Sequence, residues 1–331
     1  MDAPLPDWPI YGLAEDQRPA LRAVLASGRP AALATISALG DGGPRPVGAQ
    51  MVFAEGLISG FLSGGCVEGD VALHARACLA DGQPRRLVYG EGSPWPDIRL
   101  LCGARIEILV ERVAPDDAAA ATLFRLEAAR RPAFWVSDGR RRLCGEAPEG
   151  WPGALIRRHD PVWRLAVIGA DPTALAIARL GAQSGLETTL VRSRGPAAPP
   201  PLADVAYSRD APGPALAAIG LDAWTAVAVC SHDIETDHEA LLAALPSPAP
   251  YVGLLGARKR LAERMARLRA DGIDGTALTK LRAPIGLDLG GKAPWDVAVA
   301  AIGEVISLKT RLQSEVGRAQ SPDLPPVLVS S

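Results

Sequence analysis

Five cysteines, at positions 66, 78, 102, 144 and 230, are the residues of this 331-residue chain best suited to soft-ligand or nucleophilic chemistry. Cys66 has the most suggestive setting. It lies in Ser63-Gly64-Gly65-Cys66-Val67-Glu68-Gly69-Asp70, between an apolar run at 57–62 and a helix-like run at 67–79. Gly64 and Gly65 permit a tight turn and close approach of a ligand, because they carry no Cβ. The first amides of a helix lack intrahelical partners and bear partial positive charge. Such a place attracts anions and lowers a cysteine's pKa toward thiolate. The competing reading makes Cys66 a small buried apolar residue beside a turn. No Cys-x-x-Cys pair occurs, so neither a zinc knuckle nor a disulfide framework is indicated, and reduced thiols are expected.

Three further places carry candidate chemistry. Val167-Ile168-Gly169-Ala170-Asp171-Pro172-Thr173-Ala174 occupies the position of a dinucleotide-binding Gly-x-Gly-x-x-Gly/Ala turn. Gly169 and Ala174 fit that pattern. Asp171 stands where a glycine would let the backbone reach the pyrophosphate. Followed by Pro172, it reads as a helix cap whose carboxylate repels phosphate. The next strand ends in Arg192-Ser193-Arg194, which suits a 2′-phosphate or another anion better than the ribose of NAD. Three readings stay open: a scaffold that no longer holds NAD in the usual way, an NADP-like or other phosphate site, and an intact NAD site. Cys230-Ser231-His232-Asp233 with Asp237-His238 could hold a metal, or simply cap a helix. Gly253-Leu254-Leu255-Gly256-Ala257-Arg258-Lys259-Arg260 offers glycines and three consecutive cations to a phosphate, or is a solvated basic helix face.

The elements that must position these residues change character midway. Helices are expected at 18–26, 67–79 and 115–130, with strands at 31–36, 49–53, 57–62, 86–89 and 105–113. Asp138-Gly139 marks a hairpin between 134–137 and 142–144. The proline- and glycine-bearing stretch 148–161 reads as a linker. Beyond it strands at 164–168, 188–191, 203–207, 225–230 and 251–255 alternate with helices at 172–183, 214–219, 235–245 and 257–270. That alternation implies a doubly wound parallel sheet. A long helix at 293–312 closes it. The domains expected are 1–150, 162–315 and a disordered tail at 316–331.

Bulk properties narrow the function class. The chain is 48% hydrophobic with a net charge of −2, which supports real cores and argues against nucleic acid or an anionic membrane as partner. No apolar run approaches the ~18 residues of a membrane span. The acidic, proline-rich start lacks the blocks of a signal peptide, so a cytoplasmic location is expected.

Several motifs then converge. Ser63-Gly64-Gly65-Cys66-Val67-Glu68, together with 44–51 (Pro-Arg-Pro-Val-Gly-Ala-Gln-Met), resembles the signature of the xanthine dehydrogenase accessory factors, the XdhC/CoxI family. Leu101-Cys102-Gly103 resembles that family's second cysteine motif, with Ala104 in place of a glycine. Tyr251-Val252-Gly253-Leu254-Leu255-Gly256 and 283–290 (Ala-Pro-Ile-Gly-Leu-Asp-Leu-Gly) resemble its C-terminal motifs. The resemblance runs from Arg18 to Leu312 and implies an α/β protein. Its N-terminal domain is mixed α/β and carries the Gly-Gly-Cys turn, and a C-terminal Rossmann-like doubly wound parallel-sheet domain follows. It implies a factor that binds molybdenum cofactor (molybdopterin), protects it during sulfuration, and delivers it to apo xanthine dehydrogenase or a related molybdenum hydroxylase. A cysteine desulfurase would supply the sulfur, and a homodimer is compatible with the chain's size. Cys66 and Cys102 become transient molybdenum ligands or a sulfur relay. Ser63, Gly64, Gly65, Glu68, Gly103, Gly169, Arg192, Gly253, Gly256, Arg258 and Lys259 become the remaining cofactor-binding set. Asp171 departs from the family's usual Gly-Ala-Gly, which counts against NAD(P). The alternative is an NADP-dependent oxidoreductase, or a thiol enzyme that transfers sulfur itself. The broken fingerprint and the lack of an evident proton donor weigh against a dehydrogenase. A protein working stoichiometrically rather than by turnover fits better.

Overall fold

The computed structural model describes residues 5–40, 43, 45–93, 100, 105–256, 258–319 and 327–329. Two units separate between Pro161 and Val162, and Gln313–Ser331 belongs with the first.

In the first unit the elements are α1 (Arg18–Ala26), β1 (Ala31–Leu39), β2 (Gln50–Ala54), β3 (Leu57–Gly60) and α2 (Glu68–Asp81). There follow β4 (Arg85–Tyr89), β5 (Ile106–Val113), α3 (Ala118–Ala128), β6 (Ala133–Ser137), β7 (Arg142–Gly145) and β8 (Leu155–His159). Strands β1 to β5 form an antiparallel sheet of order β3-β2-β1-β5-β4. Side chains of successive strand residues point to opposite faces, so the sheet buries two layers. Ala32, Ala34, Ile36, Met51, Ile106, Ile108 and Val110 pack on one side with Val71, Ala75 and Cys78 of α2. Leu33, Val52 and Val113 pack on the other with α1, α3 and Trp135. The β3–α2 connection carrying Cys66 is therefore strung between a paired strand and a buried helix.

The stretch expected as a linker contains β8, which pairs antiparallel with β6. Its Leu-Ile-Arg-Arg-His sequence hides this, because polar residues seldom read as buried strand. Arg157, Arg158, His159 and Asp160 are all buried. Arg158 Nε donates to Asp160 at 2.7 Å, and its guanidinium lies 5.9 Å from the Phe134 ring centre, which offsets part of the desolvation.

The second unit comprises β9 (Arg164–Gly169), α4 (Pro172–Gln183), β10 (Glu187–Val191), β11 (Val205–Ser208), α5 (Pro212–Ile219) and β12 (Thr225–Cys230). It continues with α6 (Ile234–Ala244), β13 (Tyr251–Leu254), α7 (Leu261–Ala270), α8 (Gly275–Leu278), β14 (Leu281–Arg282) and α9 (Pro294–Ala319). All ladders are parallel, in the order β11-β10-β9-β12-β13-β14. This is the 3-2-1-4-5-6 order of a dinucleotide-binding fold, with its switch point between β9 and β12. Helices α4 and α9 cover one face, and α5, α6 and α7 the other. Helix α9 outruns its expected end at 312, and β15 (Val327–Val329) runs parallel to β8, so the expected disordered tail contains regular backbone. The open edge of β8 supplies the unpaired amides and carbonyls that such a strand needs.

Candidate functional site

The turn between β3 and α2 is built around a carboxylate. Glu68 is wholly buried at the first position of α2. Its Oε1 accepts from the amides of Leu62 at 3.1 Å and Ser63 at 2.6 Å. Its Oε2 accepts from the Ser63 hydroxyl at 2.6 Å and from the amides of Gly65 at 3.0 Å and Val67 at 3.2 Å. Ser63 Oγ in turn accepts from Val67 N at 3.1 Å. Burial alone would push the Glu68 carboxyl up, but the hydrogen bonds from Ser63 and the loop amides outweigh it and hold the group below its ordinary value.

This arrangement corrects two expectations. Glu68 is not a ligand-facing residue, since both oxygens are committed to the loop. Nor do the amides of Leu62, Ser63, Gly65 and Val67 wait for an external anion, because Glu68 supplies one to these four from within the fold. The turn itself matches the Gly-Gly requirement: Gly64 and Gly65 have φ of +104° and +99°, and a Cβ at either would meet nothing within 4 Å. Cys66 is exposed, which sets aside the reading of it as a core residue. The result is an accessible thiol on an open, rigidly tied turn, suited to a soft metal or a sulfur atom.

Other thiols in the described residues are sheltered. Cys78 is buried in α2 with Sγ 3.9 Å from the Val110 carbonyl oxygen, and burial pushes its thiol up. Burial also raises Cys144, to about 12, and Cys230. Cys102 and Gly103 lie outside the described residues. Tyr11 escaped the sequence reading: it packs against the core cluster that contains Val67 and Val71, and burial and the Glu68 carboxylate push its phenol up. Asp70 was also missed. It accepts from Tyr89 Oη at 2.6 Å and lies 3.5 Å from His74 Nε2, and its i,i+4 spacing to His74 was the available signal.

At the switch point of the second unit, Gly169 is held by close packing. A Cβ there would lie 2.6 Å from the Cys230 carbonyl oxygen and 2.8 Å from Ala174 Cβ. Asp171 caps α4, accepting from Ala174 N at 2.8 Å, and its other oxygen lies 2.9 Å from His232 Nε2. Burial opposes the charge on Asp171, yet the Ala174 amide and His232 keep its carboxyl low. The crevice where a pyrophosphate would rest is thus lined by a carboxylate. Each of the His and Asp residues weighed as metal ligands has its own partner. Asp233 caps α6 through Thr236 N, Asp237 binds Ser231 and Arg264, and His238 meets Asp271 at 2.7 Å. Among the described residues no cluster of metal-ligand geometry occurs.

The expected phosphate-binding set is dispersed. Gly253 is buried in β13, where a Cβ would lie 2.5 Å from Ile285 Cγ1, so it serves packing and not a ligand. Gly256 is exposed just beyond β13 with open space at its Cβ. Arg258–Arg260 forms a 3-10 turn in which Lys259 is exposed. Arg192 is exposed after β10, two strands away from β12. At ~4.8 Å per strand, Arg192 and Gly256 flank the Asp171–His232 pair roughly 14 Å apart.

Known proteins share both units. Residues 165–305 match the model of the XdhC Rossmann domain, and residues 24–90 that of the XdhC and CoxI family. The chain is 31% identical over 312 residues to the molybdenum cofactor insertion chaperone PaoD of Escherichia coli K12, covering 92% of each. It is 24% identical to a probable xanthine dehydrogenase subunit from Bacillus subtilis 168, over 88% of this chain and 97% of that one. A crystal structure described as a xanthine dehydrogenase from Bacillus halodurans shares the fold, with a TM-score of 0.73 and 23% identity over 92% of this chain and 98% of that one. The Gly-Gly-Cys turn, the order of the two units and these likenesses agree, and the chain belongs to the XdhC and CoxI family.

Proposed function

We propose that this protein binds molybdenum cofactor as cargo and inserts it into an apo molybdenum hydroxylase of the xanthine dehydrogenase kind. The observation that carries the reading is the exposed Cys66 thiol on a turn tied by buried Glu68, in a chain related end to end to an insertion chaperone. A thiol in this place meets molybdenum as a soft donor or carries sulfur toward it. The Gly-Gly backbone leaves room for the pterin to approach. Cys102 is the second thiol of the proposed site, and a cysteine desulfurase is the proposed sulfur source. Arg192, Gly256, Arg258 and Lys259 remain proposed contacts for the cargo's phosphate, the first from the end of β10 and the other three from beyond β13.

The protein acts as a carrier and not as a dehydrogenase. Asp171 caps the helix start that a dinucleotide phosphate would need, which counts against NAD(P) as its ligand. A cytoplasmic homodimer is the proposed form. No helix among the described residues is long and apolar enough to cross a membrane. The test is purification from cells that make the cofactor, with molybdenum and oxidised-pterin fluorescence measured per chain, then transfer to an apo hydroxylase. Bound pterin that activates the acceptor is expected. A chain that neither retains nor takes up pterin contradicts the proposal.

A further inference from the structure

The three most exposed large apolar side chains among the described residues stand together in the first unit. Trp8, Ile10 and Leu13 are 79%, 71% and 80% exposed, while no other such side chain exceeds 57%. A single apolar side chain in water is ordinary, whereas a group of large ones marks an interaction surface.

Local geometry holds the three outward. Ile10–Leu13 is a 3-10 turn, and Gly12 N donates to the Pro9 carbonyl at 2.9 Å. Residues three apart in such a turn lie on one side, so Ile10 and Leu13 share the outer face. Tyr11 and Gly12 take the inner one. Tyr11, with Leu5 upstream, packs on the core cluster that contains Val67 and Val71. A Cβ at Gly12 would lie 3.1 Å from Phe61 Cδ2 and 3.2 Å from Phe61 Cβ, so this segment lies close against Phe61. Phe61 follows β3 directly, and the next residue, Leu62, donates its amide to Glu68. The segment therefore rests on the same backbone that runs into the Cys66 turn.

That neighbourhood selects the occupant. A body covering Trp8, Ile10 and Leu13 stands next to the exposed Cys66 turn. An acceptor must come that close to take cargo from the thiol. A second copy held there would obstruct the handover, and a polar, anionic cargo gains little from Ile10 and Leu13.

We propose that Trp8, Ile10 and Leu13 form the docking surface for the acceptor enzyme, an apolar anchor that seats in a complementary hollow of the apo hydroxylase during handover. The proposal rests on the cargo reading above and adds the face through which the partner is met.

The test measures binding of the full, cargo-free chain to apo xanthine dehydrogenase by calorimetry. Trp8→Ala is expected to weaken binding about tenfold, as truncation of an aromatic anchor does, and Leu13→Ser about fivefold. Trp295→Ala, which removes an exposed aromatic from the second unit, should bind as wild type. All three variants should keep the wild-type Tm. With loaded chains, the acceptor concentration giving half-maximal transfer should rise in Trp8→Ala by the same factor, with pterin per chain unchanged. No binding by wild type, wild-type binding by both Trp8→Ala and Leu13→Ser, or an equal loss in Trp295→Ala overturns the proposal. Pterin retention that falls in step with binding would make the three residues cargo contacts. Dissociation of a dimer at unchanged acceptor binding would assign them to a second copy. Either result overturns it as well. A wild type that binds the acceptor but retains no pterin would strike the cargo reading and leave the docking surface standing.

Discussion

Two strand-to-helix turns in this molecule use the same device to opposite ends. After β3, the Glu68 carboxylate folds inward, gathers four backbone amides and a hydroxyl, and leaves Cys66 outside. After β9, the Asp171 carboxylate stays at the mouth of the helix, caps it, and meets His232 across the switch point. In both cases a side chain takes the place an anionic ligand would occupy. The difference lies in what the carboxylate leaves exposed: a thiol on an open glycine turn in the first unit, a negative charge in the second. The first turn therefore offers a soft donor to a metal or a sulfur atom, while the second sets a carboxylate where a dinucleotide phosphate would rest. A fold with the strand order of a nucleotide binder thus says little about its ligand until the turn is read residue by residue.

The sharpest way to break this contrast is at Glu68. Glu68→Ala leaves the loop amides without their acceptor and is expected to cost about 3 kcal/mol, read as a shifted urea midpoint with unchanged slope. It should also lower cargo retention, since Cys66 loses its fixed position. An unchanged midpoint would mean the amides find other partners and that the turn is not organised by this carboxylate. Next in size, Ser63→Ala removes a bond to Glu68 and the acceptor for Val67 N, and is expected to cost about 1 kcal/mol. Asp171→Ala should cost a similar amount, about 1 kcal/mol, through loss of the α4 cap. Asp171→Gly restores the missing glycine and should cost less. Wild type is expected to bind no NAD at millimolar concentration by calorimetry, and tight binding would show that the Asp171 cap is no barrier.

A smaller effect concerns acid. Both carboxyls sit below their ordinary values, 4.5 for Glu68 and 3.8 for Asp171, so both contribute stability fully above those values. That contribution is lost as pH falls through the lower folded-state values. In Glu68→Gln the acid limb of the stability profile should flatten. A profile superimposable on wild type below pH 4.5 would assign the acid sensitivity elsewhere.

Much of this was legible in the sequence, and the exceptions share a cause. The strand–helix alternation from 164 to 270 could be read because each parallel strand is a continuous apolar run between turn residues. The Gly64-Gly65 turn could be read because only glycine adopts that backbone cheaply. Strand β8 could not, because its Arg-Arg-His core is buried through tertiary partners with no local signature. The role of Glu68 was equally hidden, since a helix-start acid is usually a solvated dipole partner. Gly253 read as a ligand glycine, whereas its missing Cβ makes room for Ile285. Each is decided by partners that the local pattern does not reveal, across the sheet for β8, from a distant side chain for Gly253, and from a loop folded back on its own helix start for Glu68.

The central claim is that Cys66 is the cargo-facing thiol, and one comparison tests it most directly. Wild type, Cys66→Ala and the buried-thiol control Cys78→Ala are purified from cells that make molybdenum cofactor, and molybdenum and pterin are counted per folded chain. Cys66→Ala is expected to keep the wild-type Tm, because the thiol is exposed, and to retain at least about tenfold less cofactor, the loss of ~1.4 kcal/mol of binding. Cys78→Ala should retain cofactor at the wild-type level wherever it folds. Equal retention by wild type and Cys66→Ala would contradict the account.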